Sequence, residues 1–286
     1  MILGYLRSIG KAFLNMRTIR YYWVILLTSV TFFAFGQNNC DKTSVRPLAA
    51  FDSVSHLTVS VNMDYPQFPN KILNDSILKW LSSFGVIDKT TQKNPTIANA
   101  QSSIENFTKK TRKDYNKDID SWIAELGNSD HEEVWISNWS VEHFFTLESE
   151  SEHFVTYSAT TYEYLGGAHP MSYNTFASFN RTDGQLVTWD ILDSSKRTDL
   201  CALLIQRITD EYFGGESEEM ENFSPNDHEL PLPTSKPAII QDSVMFFYDY
   251  YEISSAYVSG MPYTQLSFKE LRPYMSAWGR KLLLGE

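Results

Sequence analysis

The stretch HFVTYSATTYEYLGGAHPMSYNTFASFNRTDGQLVTW, residues 153–189, determines the fold class of this 286-residue chain. Its β-branched and aromatic residues favour strands, and the segment GGAHP at 166–170 interrupts them. A second interruption, NRTDG at 180–184, has the composition of a hairpin turn. The sequence therefore predicts an antiparallel sheet with successive strands over 153–164, 172–179 and 185–189.

The residues before this stretch predict two further strands and two helices. Residues 56–63 alternate apolar and polar side chains, as a strand with one buried face does, and residues 134–147 have a strand-like composition. Apolar residues recur at helical spacing over 72–84 and over 96–126. The middle of the second helix, 109–117, is strongly charged, and we expect it to be a solvated face.

The residues after this stretch predict two helices and two short strands. A helix over 196–212 precedes an acidic, proline-bearing loop at 214–235. Ser267 followed by Glu270 has the spacing of a capping box and begins the last helix. The short strands cover 238–240 and 244–248.

Strands and helices come in blocks instead of strict alternation, so we predict an α+β fold, with antiparallel β-sheets packed against helices. The predicted organisation begins with a signal peptide or N-terminal anchor at 1–36 and a linker at 37–50. Two small consecutive α+β subdomains follow, at 51–160 and 161–286.

The N-terminal residues predict export. Arg17 and Arg20 precede the uncharged, mostly apolar run 21–35, and small residues at Ala34 and Gly36 flank Phe35 ahead of a possible cleavage point. The run has about 15 residues, whereas a bilayer-spanning helix needs about 20. We expect a location in the periplasm, the cell envelope or outside the cell, with a cleaved signal favoured over a retained anchor.

The two cysteines leave alternatives open. Lipidation of Cys40 would anchor the mature chain, so we predict membrane contact only through the N-terminal segment or a lipidated Cys40. A disulfide between Cys40 and Cys201 is allowed in an oxidising compartment. The alternative is a buried, inert Cys201 within an apolar helix.

The charge of the chain indicates its partners. The whole chain has a formal net charge of −11, and residues 1–36 contain four basic and no acidic residues, which leaves −15 for residues 37–286. Such a surface repels nucleic acid and anionic lipid and suits basic partners.

The chain contains no strong catalytic motif. It has no GxSxG, HExxH, paired CxxC or glycine-rich phosphate loop. Ser76 and Lys79 match S-x-x-K without the companion motifs of a serine acyl-enzyme. His143 and His153 could meet across a hairpin, but a zinc site needs three or four converging ligands. We predict no metal, no cofactor and no catalytic residue.

The segment Gly166-Gly167-Ala168-His169-Pro170 is the most distinctive local feature. Its glycines permit unusual backbone angles, and its proline fixes the conformation that follows. One interpretation is a tight connection with His169 held by a hydrogen bond, and the other is a binding loop. The tyrosine-rich residues 246–253, followed by Met261-Pro262-Tyr263, form a second candidate contact surface, because tyrosine favours interfaces.

A family resemblance rests on these same residues. The pattern Tyr162-x-Tyr164-x-Gly166-Gly167-Ala168-His169-Pro170, then Asp183-Gly184 and Trp189-Asp190-Ile191-Leu192, resembles the C-terminal domain of the RsiV-like family (domain of unknown function DUF3298). The later Tyr250-Tyr251-Glu252-Ile253 and Pro262-Tyr263-x-x-Leu266 resemble its closing segment. Upstream, Val59-x-Val61-x-x-x-Tyr65-Pro66 resembles the partner domain of PdaC-like enzymes (DUF4163).

The resemblance implies a binding protein. The RsiV-like extracytoplasmic region binds lysozyme, and the PdaC-type region accompanies a separate deacetylase domain. About 20 residues precede the hydrophobic run and the chain has no room for a deacetylase domain, so we expect neither sigma-factor signalling nor deacetylation. We predict binding of lysozyme or a peptidoglycan fragment. The candidate binding residues are Gly166, Gly167, His169, Pro170, Tyr251, Pro262 and Tyr263.

An alternative function remains open. An envelope hydrolase acting on glycan or peptide would use His169 with a nearby carboxylate, such as Asp183, as acid and base.

Overall fold

The computed structural model describes residues 44–54, 56–126, 138–166, 169–215, 232–249, 252–253 and 261–286, with the side chains of 125 and 126 excepted. The predicted signal segment and Cys40 lie outside these ranges. Residues 42–286 form one compact unit that contains both hydrophobic cores described below, so we expect it to fold without the first 41 residues. Within the described ranges, no helix combines the length and apolar character that crossing a bilayer requires.

The larger sheet has five strands in the order β1-β2-β3-β4-β5. Neighbouring strands are antiparallel except β2 and β3, which are parallel. A parallel pair needs a long crossover connection, and three helices separate these two strands in the chain. The strands are β1 (Val45–Val54), β2 (Leu57–Pro66), β3 (Trp139–Glu150), β4 (Phe154–Leu165) and β5 (Met171–Asn180), and the helices are α1 (Lys71–Ser82), α2 (Lys89–Lys93) and α3 (Ile97–Leu126).

Helices α1 and α3 cover one face of this sheet. Asn70 caps α1 by accepting hydrogen bonds from the backbone N–H groups of Ile72 and Leu73. The strands alternate buried and partly exposed residues because successive side chains point to opposite faces. The first core lies between helices and sheet, and its fully buried side chains include Val61, Leu73, Ile77, Leu81, Ile104 and Tyr157.

A smaller antiparallel sheet has the order β6-β7-β8, with strands Ala238–Ile240, Ser243–Phe247 and Tyr263–Ser267. It builds the second core together with α4 (Arg197–Tyr212), α5 (Phe268–Leu271) and α6 (Ala277–Leu284). This core buries Leu200, Leu204, Ile208, Val244, Phe246 and Leu266. The capping box of Ser267 and Glu270 is present at the start of α5, as predicted.

Two buried hydroxyl groups join the sheets. Thr156 Oγ1 donates to the carbonyl of Ile239 at 2.6 Å and lies 2.9 Å from Ser178 Oγ. Ser178 Oγ in turn accepts from the N–H of Ile239 at 2.9 Å and donates to the carbonyl of Pro237 at 2.9 Å. The smaller sheet therefore packs its β6 edge against the face of β4 and β5 that points away from the helices.

Three glycines differ in what surrounds them. Gly184 has a φ of +69°, and a Cβ at this position would lie 2.9 Å from the carbonyl oxygen of Ile72. Gly279 in α6 packs against the backbone of Ile191, where any Cβ would clash. Gly85, which follows α1, has a φ of +76° with open space around it.

The α+β prediction is confirmed, and several elements differ in detail. Residues 185–189 do not form a strand; a single bridge joins Leu186 to Phe179, because Thr188 caps a 3-10 turn over Trp189–Ile191. Pro273 lies in the 3-10 turn Arg272–Tyr274, which separates α5 from α6. Residues 45–50, predicted as linker, form the first part of β1, and the predicted boundary between 160 and 161 falls within β4.

Candidate functional site

Gly166, His169 and Pro170 of the GGAHP segment lie between β4 and β5, which pair as an antiparallel hairpin. Gly166 follows β4 with a φ of +78°, a conformation that favours glycine. His169 is exposed, and its Nδ1 lies 3.1 Å from the carbonyl oxygen of Pro170. Gly167 lies outside the described residues. The structure thus shows that His169 contacts the backbone of its own loop, and the binding role of this segment stays a prediction.

Large apolar side chains are exposed beside this loop. Leu165 at the end of β4 is 45% exposed, and Met171 and Tyr173 at the start of β5 are 43% and 46% exposed. All three side chains are on the helix-facing side of the sheet. Further along the same strands, the residues on this side are buried in the first core. We call these residues, with Gly166, His169 and Pro170, the hairpin tip.

The second predicted surface is largely built into the smaller sheet. Pro262 is buried and its carbonyl accepts the N–H of Tyr248 at 2.9 Å, so we leave it out of the contact surface. Tyr263 begins β8, and its N–H donates to the phenolic oxygen of Tyr212 at 3.3 Å. Burial raises the pKa of Tyr263, with a smaller contribution from Glu211. Tyr251 lies outside the described residues.

The described residues cover only half of the face of the large sheet that points away from the helices. The smaller sheet packs on its Phe154–Ser158 and Phe176–Asn180 part, where side chains are buried. The other half consists of three rows of cross-strand neighbours that are exposed or partly exposed, and we call it the open face. The rows are Ser53-Thr58-Ser140-Tyr164, Phe51-Ser60-Glu142-Tyr162-Ser172 and Ala49-Asn62-Phe144-Thr160-Asn174.

The open face is flat, aromatic and mildly acidic. Strands lie about 4.8 Å apart, so its longest row spans roughly 19 Å. The only charged residue of the open face is Glu142, and none of its residues is a lysine or arginine. Two further carboxylates, those of Asp64 and Glu148, lie beyond it on the same side of the sheet. The pKa of Tyr162 is raised first by burial and then by Glu142, its direct cross-strand neighbour.

The open face connects the two predicted contact regions. The hairpin tip lies at the end of β4 and β5, which contribute Tyr162, Tyr164 and Asn174 to the face. At its other border, Asn174 Nδ2 lies 3.6 Å from the sulfur of Met261, next to Pro262. Sequence reasoning missed this surface, although the alternation of polar and aromatic residues in β3 and β4 could have indicated it.

The geometry does not support the proposed acid–base pair. His169 precedes β5 and Asp183 follows it, and a strand of that length separates its ends by about 30 Å. His143 and His153 do not meet either, because His143 is buried under α3 while His153 lies exposed in the β3–β4 turn. Among the described residues, no group of three histidine, cysteine, aspartate or glutamate side chains could hold a metal ion.

The described part of the chain offers a small molecule little enclosure. The best-formed depression, lined by Pro47, Asn62, Asp64 and Thr146 among others, has a volume of about 200 Å³. Ligand pockets usually measure about 300–1,000 Å³. The arrangement therefore suits hydrogen bonding and aromatic contact across a flat surface.

Comparisons with known proteins agree with this fold. Residues 55–172 match the family model described as deacetylase PdaC. A crystal structure of a DUF3298 family member from Bacteroides fragilis has a TM-score of 0.62 and 17% identity, covering 82% of this chain and 95% of that chain. One from Pseudomonas aeruginosa has a TM-score of 0.50 and 14% identity, covering 82% and 94%.

No curated protein matches the chain significantly. The identities to the two solved structures are low enough that they show a shared fold and nothing about the site. The RsiV-like assignment stays a prediction. The chain is thus similar to the PdaC family over residues 55–172 and shares the fold of DUF3298 proteins over most of its length.

Proposed function

We propose that this protein is exported to the cell envelope and there binds a basic protein of the lysozyme class, without catalysing a reaction. The observation that carries the proposal is the open face. It presents tyrosine and phenylalanine rings around the carboxylate of Glu142, and none of its positions is basic. Tyrosine supplies both apolar area and a hydrogen-bonding group, which is why interfaces are enriched in it.

The shape of the site favours a protein over a small molecule. Stable protein interfaces bury about 800 Å² on each partner and are formed by extended surfaces, which a flat face without an enclosed pocket resembles. The exposed Phe51, with the rings of Phe144 and Tyr162, would provide its apolar part. The acidic character of residues 37–286 would accelerate encounter with a basic partner and make the association sensitive to salt.

Calorimetric titration of residues 42–286 with lysozyme at two salt concentrations tests the proposal. We expect saturable binding, near one to one, that weakens with salt. Glu142→Gln should weaken it about tenfold, whereas Glu105→Gln, which makes the same charge change on α3, should leave it unchanged. Equal effects of the two substitutions would show that only the overall charge matters and would remove the open face from the proposal.

Two further sets of titrations test the contact residues and distinguish lysozyme from a glycan as the ligand. Tyr162→Ala should weaken binding, and Tyr251→Ala and Tyr263→Ala test the contact residues predicted from the sequence. Absence of heat with lysozyme at both salt concentrations would exclude this partner. Binding of peptidoglycan fragments by the same protein would then favour a glycan ligand stacked on the aromatic rings.

A further inference from the structure

A basic patch stands out on this acidic protein. Residues 109–117 of α3 contain five basic residues and one acidic residue, Asp114. Arg112 is held by an ion pair with Asp52 of β1, at 3.0 Å. The other four are lysines with exposed side chains, and we call them the lysine ridge: Lys109, Lys110, Lys113 and Lys117.

The ridge is ordered by the helix. At 3.6 residues per turn, Lys109, Lys113 and Lys117 project along one line of α3, and Lys110 lies beside it. The line ends at Asp120, the next residue in that direction. Ile104 and Tyr115 are buried against the sheet on the opposite side of the helix, so the ridge faces directly away from the sheet.

The ammonium groups of the ridge form no close ion pair within the described structure. The ion pairs formed among described residues involve Lys71, Arg112, Arg181, Arg207 and Arg272, and none involves a ridge lysine. Lysines at i,i+4 repel one another by a few tenths of a kcal/mol for each pair, and Glu105, Asp114 and Asp120, three or four residues from ridge lysines, offset part of this repulsion. A planar anionic surface would relieve that repulsion.

We infer that the lysine ridge docks on an anionic lipid bilayer. A row of lysines on a solvent-facing helix matches the way polybasic segments bind acidic headgroups, through unspecific attraction that needs no bidentate geometry. The net negative charge of the rest of the chain does not prevent this, because screening limits the interaction to about 10 Å at 0.1 M salt. Binding is therefore decided by the charges that face the bilayer.

Docking through the ridge would orient the protein. Helix α3 covers one side of the five-stranded sheet and the open face lies on the other. A bilayer in contact with the ridge therefore leaves the open face directed away from the lipid. The inference does not depend on what the open face binds, so either can fail without the other.

Co-sedimentation with vesicles tests the inference. Residues 42–286, which lack the apolar run 21–35, are mixed with phosphatidylcholine vesicles with or without 30 mol% phosphatidylglycerol, an anionic lipid. We expect binding to the anionic vesicles alone, lost at 1 M salt. Replacing the four ridge lysines by glutamine should weaken it at least tenfold. The matched control replaces the exposed Lys79, Lys89, Lys93 and Lys269 by glutamine and should bind like the wild type.

Each other outcome overturns the inference. Equal losses in the ridge variant and the control would mean that total charge governs binding. Binding to both kinds of vesicle would mean that the ridge is not responsible. Failure to bind vesicles combined with ridge-dependent binding of soluble polyphosphate would assign the ridge to an anionic polymer. A thermal melt of each variant verifies that the fold is intact.

Discussion

Acidification should destabilise the protein through His143. This side chain of β3 is only 4% exposed, and neither ring nitrogen has a hydrogen-bond partner among the described residues. Its ring packs edge-on against Phe107 of α3, with centroids 5.0 Å apart, and parallel to Phe145 at 6.1 Å. Because this environment cannot solvate an imidazolium ion, burial lowers the pKa of His143 to about 4.

The size of the effect follows from the two pKa values. In the unfolded chain His143 takes up a proton near pH 6.5, whereas the folded protein resists protonation until about pH 4. The stability that comes from the neutral ring is therefore fully present above pH 6.5 and is lost as the pH falls towards 4. The loss is about 2 kcal/mol between pH 7 and pH 5 and about 3 kcal/mol in the limit.

Urea unfolding of residues 42–286 at pH 7 and pH 5 measures this loss. Carboxylates also contribute to the pH dependence, so the comparison is with His143→Phe, which keeps a flat ring of similar size and cannot titrate. We expect the wild type to lose about 2 kcal/mol more than this variant over that range. His153→Gln, at an exposed position, should behave like the wild type.

The reasoning would be refuted by equal losses in the wild type and His143→Phe. That result would mean that His143 is protonated in the folded protein, or that water or another group reaches its ring nitrogens. A larger loss in the variant would also contradict it, since the phenylalanine has no proton to bind.

Three further predictions concern stability, measured by urea unfolding at neutral pH. Gly184→Ala should lower the free energy of unfolding by about 2 kcal/mol or more, because backbone strain at positive φ adds to a steric clash. Gly85→Ala, which has a similar φ but open space around it, should lower it by about 1 kcal/mol. Equal costs would show that the close contact at Gly184 is relieved. Thr156→Val should cost about 1–3 kcal/mol because it leaves a buried carbonyl unpaired, and the partly exposed Thr160→Val should cost less than 1 kcal/mol. A neutral Thr156→Val would mean that the hydroxyl link between the sheets is dispensable. Glu252→Ala should cost about 1–3 kcal/mol, because its carboxylate accepts two backbone N–H groups of neighbouring loops, and an unchanged midpoint would contradict that role.

Periodicity predicted most of the fold correctly. The helices α1 and α3 and the strands β2 and β3 carry one apolar face each, so their spacing identifies them without tertiary information, whereas β4 and β5 are identified by their β-branched and aromatic composition. β1 was missed because its N-terminal half carries Arg46 and Pro47, residues that are uncommon in strands. β8 was missed because one of its two buried residues, Thr264, is polar, so only Leu266 remains and no apolar alternation is visible in the sequence.

The pairing and register of strands far apart in the chain could not be predicted from the sequence. The parallel pairing of β2 with β3 depends on where three intervening helices carry the chain, which no local pattern encodes. The open face likewise arises from register across five strands, which places Glu142 between Ser60 and Tyr162. The separation of His169 from Asp183, by contrast, follows from the predicted strand over 172–179, which lies between them.

The hydroxyl link of Thr156 and Ser178 also determines what the smaller sheet can do to other molecules. β6 is an edge strand, and such strands expose unpaired amide and carbonyl groups that recruit strands from other chains. Here the outward N–H and C=O of Ile239 are both occupied by side chains of the neighbouring sheet. This edge is therefore closed to strand addition and hence to fibril-like assembly. Two hydroxyl groups thereby prevent strand addition at this edge, as lysines, prolines or bulges do at the edges of other sheets.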